Sequence, residues 1–390
     1  MLIDWVASIN PNDLHALALT NSLLFREAEK YRWNTIKIEI NPSVGKGFEA
    51  ASEVLYRVEG RPARATHLRL DTTKRTTLEQ TSSFRAFVRR FLKDARGLRT
   101  LHFRGIDGVD TLATLLNGFA NLPFKLTEFA ILSRCWESSV LVGFMVGFIV
   151  SQPTIECLSI ASRELAYALP RDALPNLAAV AVSSNSTHAV QLAEGRPVKY
   201  LFLAARGAPS SLSNTLQALE TMIHKSTQPI TAISLVGSSM EDIILFLPHL
   251  LRLVPGLRFL GCEWPAEHPD HRARGDLELL RSFTRLECIR WRSGKFIPRH
   301  MQRLKWRRLN PRNYAGPSLR VVQQESTCGR PPSEDLAKVE GIWRPSEEQS
   351  DCWHFHAGEF LAPPLLPELR LVRTTPAGDL FVKSLMSIWV

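Results

Sequence analysis

The chain has 390 residues, of which 45% are hydrophobic and 22% charged, and its formal net charge is +10. That length exceeds one ordinary core, so two or three domains or an elongated array are expected, and the composition excludes global disorder. No basic-then-apolar leader opens the sequence, and the longest apolar run, 140–150 (VLVGFMVGFIV), is about half the ~20 residues of a membrane span. This run predicts a buried helix, and no membrane association is expected.

Residues 1–40 predict two or three short helices followed by a strand. Asn10-Pro11 marks a turn, and Asn12 or Asp13 can cap a helix bearing Leu14, Leu17 and Leu23. Further along, one template recurs: apolar-x-x-apolar-x-apolar. Its copies are Ala65/Leu68/Leu70, Leu98/Leu101/Phe103, Leu126/Phe129/Ile131, Ile155/Leu158/Ile160, Leu177/Val180/Val182, Val198/Leu201/Leu203, Ile230/Ile233/Leu235, Leu257/Leu260/Cys262 and Leu286/Ile289/Trp291. Their first positions lie 21 to 33 residues apart. Pro153, Pro175, Pro197, Pro229 and Pro255 each stand one or two residues ahead of a copy, where proline ends a helix and starts an extended segment.

Between copies the period changes to 3.6. Phe84, Phe87, Val88 and Phe91 form one apolar helical stripe, Leu112, Leu115, Leu116 and Phe119 another, and Ile243, Phe246, Leu247 and Leu250 a third. Ser238 and Glu241 have capping-box spacing for the last of these, and Pro248 predicts that this helix kinks or ends early. A strand and helix repeated at this interval bury their apolar faces only by stacking. The reading is therefore α/β: parallel strands on a concave side and helices on a convex side, over residues 62–295. A doubly wound dinucleotide fold would need a Gly-rich phosphate turn, and neither GxGxxG nor GxxxxGK[ST] occurs.

This pattern resembles the leucine-rich-repeat family, as an irregular solenoid. The family's Asn or Cys, eight residues after the first leucine, is matched only by Asn185, so uneven curvature is expected. Pro11, Asp13, Leu14, Leu17, Leu19, Thr20, Asn21, Trp33 and Ile36 resemble the later two-thirds of an F-box, without its Leu-Pro-x-Glu opening. The resemblance implies an adaptor-docking face formed by Leu2, Ile3, Val6, Pro11, Leu14 and Leu17, through which a Skp adaptor of a cullin ubiquitin ligase is bound. The bland reading of the same helices is a cap on the first repeat.

Alternation along the strands assigns Arg99, His102, Glu128, Glu156, Lys199, Thr231, Arg258, Glu287 and Arg290 to a concave binding surface for a protein substrate. Residues 285–312 carry ten Lys/Arg and one acid, which leaves the remainder nearly neutral. Arg299, Arg303, Lys305, Arg307 and Arg308 interleave there with Trp291, Phe296 and Trp306, a composition that fits a solvated edge, a nuclear import signal or a site for an anionic partner such as nucleic acid. Residues 296–390 are read as this basic segment followed by a C-terminal cap or tail, with short strands that include 319–322.

No catalytic, cofactor or metal constellation emerges. GxSxG and HExxH are absent, Cys352/His354/His356 does not have zinc-finger spacing, and His268 and His271 lie in a Pro-rich loop. The six cysteines show no paired spacing, and Cys157, Cys262 and Cys288 fall in apolar strand-like segments, so a reduced cytoplasmic or nuclear setting is expected. The chain thus reads as a non-enzymatic protein-binding module with no small-molecule substrate. The substrate-recognition subunit of a ubiquitin ligase is the first reading. A repeat scaffold without that role, or binding of an anionic partner through 285–312, is the alternative.

Overall fold

The computed structural model describes residues 35–40, 55–56, 60–72, 78–104, 122–132, 139–160, 163–182, 187–204, 209–236, 240–264, 278–293 and 321–326. The chain forms two compact units that divide between Leu177 and Ala178.

In the first unit, strands β1 (Thr35–Ile40), β2 (His67–Thr72), β3 (Thr100–Arg104), β4 (Glu128–Leu132) and β5 (Cys157–Ile160) pair in chain order. Every pairing is parallel. Helices α1 (Arg61–Arg64), α2 (Leu78–Asp94), α3 (Ser139–Val150) and α4 (Arg163–Ala168) accompany them. The second unit repeats the plan with β6 (Ala179–Val182), α5 (Thr187–Ala193), β7 (Tyr200–Ala204), α6 (Pro209–Lys225), β8 (Ala232–Val236), α7 (Met240–Leu253), β9 (Phe259–Trp264), β10 (Cys288–Ser293) and β11 (Val321–Ser326). These strands too are parallel neighbours in chain order. A 3-10 turn, Glu278–Ser282, stands where a helix would precede β10.

The apolar template accounts for the register. All nine first positions are buried, from Ala65 to Leu286, and so are all nine fourth positions, from Leu68 to Ile289. The sixth positions from Leu70 to Leu235 are buried as well. Register partners fall on equivalent template positions: Leu68 faces Leu101, Leu101 faces Phe129, and Phe129 faces Leu158. The helices pack on this side of the strands. The ring of Phe129 on β4 lies 5.1 Å from that of Phe148 on α3 and 6.2 Å from that of Phe103 on β3. Helical stripe residues Phe87, Val88 and Phe91, and likewise Phe246, Leu247 and Leu250, are buried as their spacing predicts.

The ladder runs past the expected limits of 62–295 at both ends. Residues Ile36 and Ile38 of β1 pair with Leu68 and Leu70, so Trp33/Ile36/Ile38 satisfies the template one coil earlier. At the other end Val322 pairs with Ile289 and Gln324 with Trp291. A polar residue, Gln324, at the sixth template position hides this coil from the pattern.

Hydrogen bonds tie successive coils together. In both units, second template residues offer one carbonyl to two successive N–H groups of the next coil. Thus Arg99 accepts from Thr127 (2.8 Å) and Glu128 (3.0 Å), and Thr127 from Glu156 (2.8 Å) and Cys157 (3.0 Å). Lys199 accepts from Thr231 (2.9 Å) and Ala232 (3.1 Å) in the same way. Polar side chains just upstream of a coil then clamp the coil before it. Gln152 Oε1 accepts from the Leu126 N–H at 2.9 Å, and Thr154 Oγ1 donates to the Leu126 carbonyl at 2.7 Å. Ser226 Oγ donates to Val198 at 2.8 Å. Arg196, buried to 1% exposure, donates to the Gln191 and Leu192 carbonyls at the end of α5. These bonds satisfy backbone groups that would otherwise be buried without partners. Asn185 lies outside the described residues.

Two expectations need correction. Pro248 does not end α7, which runs five residues further to Leu253. Helix α3 is only half buried: Val142, Met145, Phe148 and Ile149 face the core, while Gly143, Phe144, Gly147 and Val150 are exposed. A helix that is apolar all round gives no periodic signal of which face turns inward.

Candidate recognition surface

Strand alternation turns the third and fifth template positions away from the helices. In the first unit the third positions His67, Thr100, Glu128 and Cys157 form one register row, and the fifth positions Arg69, His102, Ala130 and Ser159 form another. In the second unit the corresponding rows are Ala179, Tyr200, Ala232 and Phe259, and Ala181, Phe202, Ser234 and Gly261. One unit therefore carries ionisable groups on this face and the other aromatic and small ones. Gly261 is needed in its row because a Cβ there would meet Ser234 Oγ at 2.5 Å and the Phe259 ring at 3.3 Å.

The nine residues assigned to a concave surface separate into two kinds. His102 and Glu128 are buried, at 9% and 7% exposure, and held together by a hydrogen bond of 3.0 Å between Nε2 and Oε1. They belong to the interior of the first unit rather than to an accessible surface, together with Arg69, register partner of His102, whose guanidinium is also buried. Alternation predicted the direction of these side chains but not how closely their neighbours pack around them.

The second template positions form an accessible rim at the leading edge of the strands. Arg99 is exposed, and Glu156, Lys199, Thr231, Arg258 and Glu287 are half-buried. Arg258 and Glu287 form a two-pronged ion pair, Nε to Oε1 at 2.9 Å and Nη2 to Oε2 at 3.1 Å. Arg290 lies on β10, paired with Gly261, its side chain being outside the described residues. Also outside them are Leu2, Ile3, Val6, Pro11, Leu14 and Leu17, the basic residues Arg299, Arg303, Lys305, Arg307 and Arg308, and Cys352, His354, His356, His268 and His271.

Cys157 sits in the ionisable row, buried, with burial first and then the charges of Glu128 and Glu156 pushing its thiol well above its ordinary value. A thiol held protonated is a poor nucleophile and metal ligand. Burial likewise raises Tyr200. Upon unfolding, Cys157 would lose its proton near the ordinary value of 9.0, whereas the folded chain keeps it to higher pH. Its share of the stability is intact below that pH and lost as pH rises through the folded value. The expected outcome is slow labelling of Cys157 by a water-soluble thiol reagent at pH 8–9, measured by peptide mass spectrometry, with fast labelling after denaturation.

Among the described residues, no group of three or more His, Cys, Asp or Glu side chains is placed to hold a metal ion. None of their helices is long and apolar enough to cross a membrane. No protein-family model matches the chain, and no curated protein matches it either.

Proposed function

We propose that this chain is a non-catalytic recognition protein: a leucine-rich-repeat-like array that binds a protein substrate and, through the F-box-like segment 1–40, presents it to a Skp–cullin ubiquitin ligase. The observation that carries the recognition part is the regular ladder of parallel coils, which sets one rim residue per coil at a constant position along the strand edge. Such an array varies its rim without disturbing its core, because first, fourth and sixth template positions do the packing. The rim alternates in charge and polarity through Arg99, Thr127, Glu156 in one unit and Lys199, Thr231, Arg258, Glu287 in the other, a sequence suited to reading a polar protein surface.

The ubiquitin part rests on the F-box resemblance alone, and its test is direct. Full-length chain co-expressed with a Skp adaptor should co-elute with it, and Leu14→Asp with Leu17→Asp should abolish that association while leaving the repeat array folded. A full-length chain that never captures the adaptor would reduce the proposal to a repeat scaffold.

A further inference from the structure

The near-neutral charge of the chain outside 285–312 conceals a second basic concentration. Residues 61–104 hold twelve Lys/Arg against Asp71, Glu79 and Asp94, an excess offset by acidic residues elsewhere. Part of it converges on one edge of the first unit. The turn after α2 abuts the segment between α1 and β2: the Arg99 N–H donates to the Thr66 carbonyl at 2.8 Å, and a Cβ on Gly97 would lie 3.0 Å from the Ala63 carbonyl. This contact gathers Arg64, Lys93, Arg96 and Arg99 at the leading edge of β2 and β3, and Lys125 continues the row one coil on, just ahead of β4. All five side chains are exposed.

Several cations of the second unit have carboxylate partners. Lys225 pairs with Glu194 at 3.1 Å, Arg252 with Glu220 at 3.5 Å and Arg258 with Glu287 at 2.9 Å. On the edge of the first unit, no carboxylate among the described residues pairs with any of the five, and the nearest acid in sequence is the exposed Asp94. The C-terminal carbonyls of α2 account for one cation, Lys93 in its last turn, but not for a row across three coils.

We propose that this edge binds the phosphodiester backbone of a nucleic acid. Neighbouring parallel strands lie about 4.8 Å apart, so the row crosses roughly 10 Å and can follow two or three successive phosphates. Arginine predominates, and its planar guanidinium suits phosphate oxygens. An acidic protein partner would call for an apolar centre within the contact. The exposed large apolar side chains among the described residues, Phe144, Val150 and Tyr167, lie on α3 and α4 and not on this edge. Without aromatic faces to stack bases, binding here depends on charge and not on sequence.

The test uses full-length protein, a labelled 30-base mixed-sequence single-stranded RNA, and the variant R64Q/K93Q/R96Q/R99Q. Measurements are made both in the native background and in one already carrying R303A/K305A/R307A/R308A, so that the other basic segment cannot compensate. The expected result is binding that weakens steeply with salt, equal for a scrambled sequence. In the four-Gln variant affinity should fall roughly tenfold or more and the log–log salt slope become shallower by about 3, with thermal unfolding unchanged. An unchanged slope and affinity in that variant would overturn the proposal, as would no binding at low salt. So would poly-glutamate binding this edge while the RNA does not, which would assign it to an acidic protein.

Discussion

Replacing Phe129 by alanine is expected to cost about 3–5 kcal/mol of stability. The ring is fully buried, packed against a ring of the coil before it and one on the helix that follows its strand. It meets Phe103 edge-on at 6.2 Å and Phe148 at 5.1 Å, and in register it stands between Leu101 and Leu158. In a stacked array each coil is held only by its neighbours, so a cavity in one weakens two interfaces. Urea denaturation followed by far-ultraviolet circular dichroism should show a lower midpoint for the first unit's transition, while Phe129→Leu should recover most of the loss. Equal midpoints for Phe129→Ala and the native chain would contradict the shared-core arrangement.

Pro248→Ala is expected to act in the opposite direction and stabilise the second unit. Pro248 is exposed, eight residues into α7 and five from its end. Proline in a helix interior is less favourable than alanine by about 3 kcal/mol, since it lacks the N–H that would reach the carbonyl four residues back, here that of Ile244. Part of this gain is offset, because alanine also frees the unfolded chain by roughly 0.4–1 kcal/mol. A net rise of about 2 kcal/mol remains and should appear as a higher denaturation midpoint. The helix continues through the proline because Phe246, Leu247 and Leu250 are fully buried on one face, and their burial outweighs the local defect.

These two residues also mark what the sequence discloses and what it does not. Phe129 is one of many positions where a buried side chain follows from apolar spacing alone, since parallel strands and the stripes of α2 and α7 carry strong periodic signals. Pro248 shows that a local rule fails where tertiary burial is large. The sequence predicts a short strand at 319–322 but not a further coil, because Gln324 stands at an apolar template position, and it places β1 with the N-terminal segment although Ile36 and Ile38 fit the repeat. The clamps of Gln152, Thr154 and Ser226 were invisible for another reason: they act across 26 to 28 residues from positions outside the family's asparagine site. At the site, alternation gave the direction of His102 and Glu128 but not their burial, which depends on neighbours distant in sequence. Arg64, Lys93, Arg96 and Lys125 are scattered along the chain, and only the packing of the Gly97 turn makes them one surface.

The shared carbonyl at the start of each coil has a consequence for how such a chain can change over generations. Within the units the same pair of N–H groups ties coils whose spacing differs, 28 residues for Leu98 to Leu126 and 32 for Val198 to Ile230. Length differences are absorbed in the connecting segments and never reach the strand junction. Duplicating or deleting a coil flanked by two such junctions would leave the same backbone joint behind, so gene-level copying can lengthen or shorten a unit there without redesigning it.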